Sequence, residues 1–234
     1  MQLFYNSNIK SNDKTFFFDK EESKHIIKVL RKKESDKIFI TNGLGFLFES
    51  EIILASEKKC EVKITKETFQ EPDAFYTHIA VAPTKMNDRL EWFLEKATEI
   101  GIHEITPIIC DHSERKVYKI DRAEKIIQAA MKQSLHYYIP KINEPISFSQ
   151  FVKSNIDGQK FIAHCEETDK KSFKNEVNKS EKATILIGPE GDFSTKEINL
   201  AIENNFIPVT LGNTRLRTET AALVACHTIA LINE

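Results

Sequence analysis

Apolar positions along this chain keep two different rhythms, and the change between them falls near residue 75. In the first stretch the rhythm is short. The run "KIFI" and the run "FLFESEIIL" flank an Asn-Gly-containing turn, a pattern that predicts a β-hairpin. "CEVKIT" alternates at period two and predicts a further strand. Asp19 follows the phenylalanines at 16–18, with Glu22 three residues on, the spacing of a helix-opening capping box. The helix it opens carries Ile26, Ile27, Val29 and Leu30 beside the basic run Arg31-Lys32-Lys33. A small β-rich unit with one helix is expected over 1–70, closed by a polar, Pro-containing linker, "KETFQEPDAFY".

Beyond the linker, unbroken apolar runs alternate with 3.6-period stripes. "IAVAP", "ITPIIC", "KFIAHC", "TILIG" and "IPVTLG" read as strands buried on both faces. Between the first two, Leu90, Phe93, Leu94 and Ala97 form a helical stripe, with Asn87 as its expected cap and Gly101 as its end. Ala123, Ile126, Ile127, Ala130 and Met131 form the next, and Ser147 with Gln150 caps a short helix. Ser194 with Glu197 is a capping box for a helix burying Ile198, Ala201 and Ile202. The last helix, "TAALVACHTIALI", is apolar nearly all round, so its own subunit or a second one must cover it. "EETDKKSFKNEVNKSEK" reads as a surface loop. Alternating strands and helices predict an α/β domain over 76–234 with a mostly parallel sheet.

Composition narrows the class without naming a chemistry. The chain has 234 residues, 41% hydrophobic and 29% charged, as in ordinary globular proteins. No apolar run nears the ~18 residues of a membrane helix. The start, "MQLFYNSNIK", lacks the apolar core of a secretion signal, so a cytoplasmic protein is expected. Cys60, Cys110, Cys165 and Cys226 lie far apart and read as buried free thiols in a reducing compartment. Net charge is +2 over residues 1–69 and −4 over the rest, which permits nucleic-acid contact by the first segment.

Ligands of open α/β sheets bind at the carboxyl ends of strands. Here those ends read "AHCEE", "GPEGDFS" and "LGNTRLRTETA". G-x-G-x-x-G, G-x-x-x-x-G-K-[ST] and G-x-S-x-G are all absent, which disfavours dinucleotide, NTPase and hydrolase sites. His164, Cys165 and Glu166 are adjacent, but strand alternation sends His164 and Glu166 one way and Cys165 the other, and no metal is expected. Two glycine turns remain, one with Glu190 and Asp192, one with Arg215 and Arg217. Glycines let the backbone approach a flat ligand, and acids repel phosphate while tolerating a cation. S-adenosyl-L-methionine (SAM), with its sulfonium and ammonium, fits that description. The arginines would then face an anionic co-substrate or developing negative charge.

"GPEGDFSTKEI" followed by "LGNTRLRTETAA" resembles the paired signature of the ribosomal RNA small subunit methyltransferase E family. "HIIKVLRKKESDKIFITNGLG", "KMNDRLEWFLEKATEIGIHEITP" and "AAMKQSLHYYIPKI" extend the resemblance over nearly the whole chain. It implies a PUA-like RNA-binding β-barrel followed by a SPOUT-type α/β domain whose C-terminal chain threads a trefoil knot. It implies a homodimer that methylates N3 of a uridine in 16S rRNA of the 30S subunit, with SAM as donor. One departure stands at 133–136, Gln-Ser-Leu-His, where relatives usually have Gln-Ser-x-Arg; if that arginine contacts RNA, His136 is a weaker, pH-dependent substitute for it.

Uracil N3 carries a proton, so the site needs a base or a cation for the uracil anion. Arg217 is expected in the electrostatic role and Arg215 at RNA phosphate, though either arginine could instead pair with Glu190 or Asp192. Glu190, Asp192 and Glu219 are candidate bases, and Glu219 could equally serve the dipole of the helix it opens. Cofactor contacts are expected from Gly188, Glu190, Gly191, Leu211, Gly212 and Leu216, with the loop at Ala163 and His164. Leu216 either packs on adenine or closes the core. Lys28, Arg31, Lys32 and Lys33 are expected to grip RNA, each with a solvated helix end as its alternative. Two other functions remain open: a SPOUT enzyme for another RNA, and a non-catalytic RNA-binding protein.

Overall fold

A computed structural model describes residues 1–167 and 169–234, leaving Thr168 of the expected surface loop outside the described residues. The chain forms two compact units, Met1–Pro72 with Met131–Ile139, and Asp73–Ala130 with Pro140–Glu234. The first holds β1 (Leu3–Tyr5), β2 (Thr15–Phe17), α1 (Lys20–Lys24), a π-helical turn (His25–Val29), β3 (Lys37–Thr41), β4 (Phe46–Leu54) and β5 (Glu61–Phe69). Its five-stranded sheet has the order β1-β3-β4-β5-β2. Phe4, Ile26, Ile40, Phe48 and Val62 fill its core. Asp19 opens α1 by accepting from the Glu22 amide. The strand of "CEVKIT" runs on to Phe69, so the linker is shorter than its polarity suggests.

The hairpin of β3 and β4 forms as expected, in antiparallel register. Its turn holds Gly43 at φ 75 and Gly45 at φ 90. Asn42 Oδ1 accepts from the Leu44 amide at 2.9 Å, a side-chain turn of the kind that favours Asn here. The segment 131–139 pairs with this turn: Gly45 N donates to Tyr137 O and Ile139 N to Gly43 O, both at 3.0 Å. A Cβ on Gly45 would overlap the Tyr138 hydroxyl and come within 2.8 Å of the Gln70 carbonyl. Gly45→Ala should therefore cost about 2 kcal/mol or more, from left-handed strain plus the clash. Urea unfolding measures this, and a loss below about 0.5 kcal/mol would refute it.

The second unit runs β6 (Tyr76–Val81), α2 (Asn87–Ile100), β7 (Glu104–Ile109), α3 (Asp121–Ser134), β8 (Lys141–Ile142), β9 (Ile146–Ser147), α4 (Phe148–Val152), β10 (Gln159–Ala163), β11 (Lys171–Ser172), α5 (Phe173–Glu176), β12 (Lys182–Ile187), α6 (Thr195–Glu203), β13 (Ile207–Thr210) and α7 (Thr218–Asn233); α3 ends within the first unit. The strand order is β11-β13-β10-β12-β6-β7-β8, with β9 beside β7. Every pairing in this unit is parallel. Ala80, Ile108, Leu186, Phe193 and Phe206 share one core cluster.

Helix ends follow the local chemistry in most places. Gly101 closes α2 in the left-handed conformation at φ 101. Ser194 and Glu197 form the full reciprocal capping box of α6. Asn87 is the first residue of α2 and not its cap, which is Met86 without a side-chain bond. The polar excursion is more than a surface loop, since β11 extends the sheet and Phe173 of α5 is buried. Of the four cysteines, Cys165 is exposed, because β10 ends two residues before it. α7 buries Ala222, Ala225, Cys226 and Ile229 within its own chain and leaves Leu231 exposed. No helix among the described residues is long and apolar enough to cross a membrane.

One sheet face is polar at the amino ends of its central strands. His78 sits opposite Thr184 on β12 and opposite Glu104 on β7. Its Nε2 lies 2.7 Å from Thr106 Oγ1. Burial pulls the imidazole down from 6.5 to about 4, against the opposing effect of Glu104. Burial would raise the Glu104 carboxyl, but hydrogen bonds led by Asn143 and Lys141 bring it down to about 2. Both groups are depressed on folding, so the unfolded chain takes up protons first as pH falls. Stability should decline from pH 6.5 towards 4 by on the order of 3 kcal/mol from His78 alone. Thermal melts across that range should show the decline, and His78→Gln should flatten it.

Candidate active site

Three chain segments meet at the carboxyl ends of β10, β12 and β13. The turn after β12, Gly188 to Ser194, is held from several sides. Asp192 takes φ 62, and its amide donates to the Pro189 carbonyl at 3.0 Å. Phe193 inserts into the core cluster, its ring 5.2 Å from that of Phe148. A Cβ on Gly188 would stand 3.1 Å from the Phe193 ring, so glycine lets the turn close over it. Thr218 at the start of α7 donates its hydroxyl to the Gly188 carbonyl at 3.0 Å. That bond physically joins "GPEGDFS" to "LRTETA".

The two acids of the turn are engaged with backbone amides. Glu190 Oε1 accepts from the Lys85 amide at 2.9 Å. Asp192 Oδ2 accepts from the Cys165 amide at 2.7 Å, and Oδ1 from its neighbour Phe193 at 2.9 Å. Their negative charge stays at the site, but each also staples a loop. Sequence reasoning missed the partners of this bracing. Arg115 donates to the carbonyls of Thr84 and Lys85 at 3.2 and 2.8 Å. His112 Nδ1 lies 3.1 Å from the carbonyls of both Gly191 and Asp192. The motif offered no signal for residues about 80 positions upstream; only sheet order brings them together.

Between these segments lies a cavity of about 310 Å³. Of the expected residues, Ala163, Gly188, Glu190, Arg215, Leu216 and Arg217 line it. Cys165, Ile187, Pro189, Asp192, Thr218 and Ala221 complete the lining. His164, Gly191, Leu211, Gly212 and Glu219 do not line it. Gly191 faces the other way, since a Cβ there would meet His112 at 3.1 Å. Gly212 is exposed, and its Cβ position is open space.

Arg215 and Arg217 are exposed, and neither makes an ion pair among the described residues. The alternative pairing with Glu190 or Asp192 is not found among the described residues. Arg217 is the residue immediately before α7. Glu219 is buried, with Oε1 4.0 Å from Arg89 Nε and Oε2 without a hydrogen-bond partner among the described residues. Both ring nitrogens of buried His164 also lack hydrogen-bond partners among the described residues. Burial, then the Lys170 charge, lowers its pKa. No group of three His, Cys, Asp or Glu able to hold a metal occurs among the described residues.

In the first unit Lys28, Arg31 and Lys33 are exposed and Lys32 is half-buried. Arg31 takes φ 54, which ends the π-helical turn and places the three basic residues on the outgoing loop.

Comparison with known proteins agrees with this layout. A family profile for an RNA methyltransferase domain matches residues 71–230, and one for an RNA methyltransferase PUA domain matches 18–65. Ribosomal RNA small subunit methyltransferase E of Buchnera aphidicola (Acyrthosiphon pisum) is 32% identical over 219 residues, 90% of this chain and 85% of that protein. The chain belongs to the ribosomal RNA small subunit methyltransferase E family. The Bacillus subtilis member of that family is 28% identical over 94% of this chain and 91% of its own. The crystal structure of a probable rRNA-methyltransferase from Porphyromonas gingivalis superposes with a TM-score of 0.91 at 38% identity, covering 100% of this chain and 98% of that one. A Legionella pneumophila methyltransferase, solved with the cofactor SAM bound, gives a TM-score of 0.88 at 26% identity over 99% and 97%.

Proposed function

We propose that this member of the methyltransferase E family transfers a methyl group from SAM to N3 of a uridine in 16S rRNA. The observation that carries the reading is the cavity at the strand carboxyl ends, where Thr218 ties the acidic glycine turn to the arginine-bearing loop. Its lining suits a cationic cofactor with a flat apolar part. Glu190 and Asp192 give it negative charge, while Ile187, Leu216 and Ala221 give apolar surface. When bound, SAM supplies an electrophilic methyl group. Ala163, Gly188 and Leu216 would hold its nucleoside, and the acids its positive groups. Relatives solved with SAM and named for the small ribosomal subunit support donor and substrate class alike.

Arg217 and Arg215 at the cavity are left to act on the substrate. The N3 lone pair becomes available once its proton is lost, and the resulting charge spreads over two carbonyl oxygens. A guanidinium is always protonated and suits such an oxyanion. Arg217 takes that role and Arg215 a phosphate. Glu190 lines the cavity and is the proton acceptor this geometry favours; Glu219 lies outside the lining. Lys28, Arg31, Lys32 and Lys33 of the PUA unit hold RNA phosphates. The rest of the proposed architecture is a trefoil knot in the last segments and a homodimer. The strand order β13-β10-β12-β6, with α7 returning onto β6 and β12, supports the knot. Exposed Trp92 and Leu231 on α2 and α7 support the dimer.

The test is methyl transfer from labelled SAM to 30S subunits from cells lacking this modification, followed by identification of the product nucleoside. N3-methyluridine is expected. A different methylated nucleoside, or binding of SAM without transfer to any RNA, would overturn the reading.

A further inference from the structure

The amino ends of the same central strands enclose a second cavity, of about 360 Å³, at the opposite end of the sheet from the proposed methyl-donor site. Parallel strands covered on both faces are normally apolar throughout. Here His78, Glu104, Thr106 and Thr184 stand together on one face of three neighbouring strands. Burying such groups is costly unless each is satisfied, and apolar residues would close the same space at lower cost. The excess polarity is arranged, too. Glu104 accepts from Tyr76 Oη at 3.0 Å, from Lys141 Nζ at 2.9 Å and from Asn143 Nδ2 at 2.7 Å. Asn143 also donates to Thr106, which in turn meets His78. The floor is thereby locked in place, its one carboxylate matched by a lysine.

The rest of the lining limits what can enter. Phe151, Ile146 and Ile156 form an apolar wall, with the Phe151 ring edge-on to His78. Thr184 Oγ1 and the Asn155 amide line the space and make no side-chain hydrogen bond among the described residues. Glu144 and Asp157 stand at the rim, and Lys182 lies 3.7 Å from Asp157. A phosphate or carboxylate would face two acids and a lysine already paired. A metal ion would find the Glu104 oxygens taken. An uncharged heterocycle meets no such conflict: its faces suit the apolar wall, its edge the hydroxyl and amide groups.

We propose that this second cavity binds a free, uncharged nucleoside through Thr184, Asn155 and the apolar wall of Phe151, Ile146 and Ile156. The size is that of ordinary small-molecule sites, roughly 300–1,000 Å³. The proposal does not depend on the methyltransferase assignment, because it uses none of the residues of the first cavity.

Adenosine and uridine, each titrated calorimetrically into the full-length protein, test it. At least one is expected to bind once per chain, and its 5′-monophosphate more weakly. Losing one hydrogen bond to the ligand in Asn155→Ala should weaken binding by up to about tenfold, and Thr184→Ile should do so by at least as much. Ala221→Trp, which fills the first cavity, should leave it unchanged. Asn155 is exposed, so its variant keeps the test valid even where Thr184→Ile melts early. The proposal is overturned if neither nucleoside binds at millimolar concentration. It is equally overturned if the monophosphate binds as tightly, or if Ala221→Trp removes the binding and Asn155→Ala does not.

Discussion

Replacing Arg217 by alanine should lower methyl transfer to 30S subunits by about 10²–10³-fold while leaving SAM affinity within about threefold. The argument starts from exposure: Arg217 lines the cavity and has no ion-pair partner among the described residues, so its charge is available to a substrate. Removing a preorganised donor from a developing oxyanion costs that much in other enzymes, and a guanidinium carries full charge as well. Arg217 precedes α7 without capping it through its side chain, so the helix should keep its stability. Arg217→Lys should recover part of the rate, since lysine restores charge without the planar fork. Single-turnover rates with SAM saturating separate this from binding. If the rate holds and SAM affinity collapses, the arginine belongs to the cofactor and the role assigned here is wrong.

Filling the first cavity should have the other large effect. Ala221 is half-buried in α7 and lines the space opposite the glycine turn. A tryptophan there projects into a cavity of about 310 Å³ and should weaken SAM binding by about a hundredfold or more. Because the side chain enters existing space, the melting temperature should move little. Substituting Gly191 is the less informative choice, since its missing side chain points at His112 and away from the cavity. Calorimetry with SAM decides the matter. Affinity unchanged in a folded Ala221→Trp protein would place the methyl donor elsewhere.

The bases proposed for the reaction show how far sequence reasoning reached. Glu190, Asp192 and Glu219 stand alike as acids near glycine turns or a helix start. Their roles diverge in three dimensions. Glu190 lines the cavity but binds the Lys85 amide, 105 residues away. Asp192 holds the Cys165 amide, and Glu219 is buried beside Arg89. The expected cofactor residues divide in the same way. Ala163, Gly188 and Leu216 line the cavity; Leu211 and Gly212 are not among its lining residues.

Local features needed no tertiary information. The Asn-Gly hairpin, the Asp19 and Ser194 caps, the Gly101 stop and the buried parallel strands depend on residues within a few positions of one another. Hydrogen-bond geometry, side-chain periodicity and left-handed φ act over that range, so composition in a short window decides them. Features that depend on which strands become neighbours are not legible in this way. The pairing of 131–139 with the β3–β4 turn, the bracing of "GPEGDFS" by His112 and the Lys85 amide, and the polar cavity over His78 each join segments far apart in the chain. Their partners are selected by packing a whole core, where each element's place depends on all the others. A carboxylate's sequence neighbours therefore say that it sits at a turn, and only the assembled sheet says whether it faces a ligand or a backbone amide.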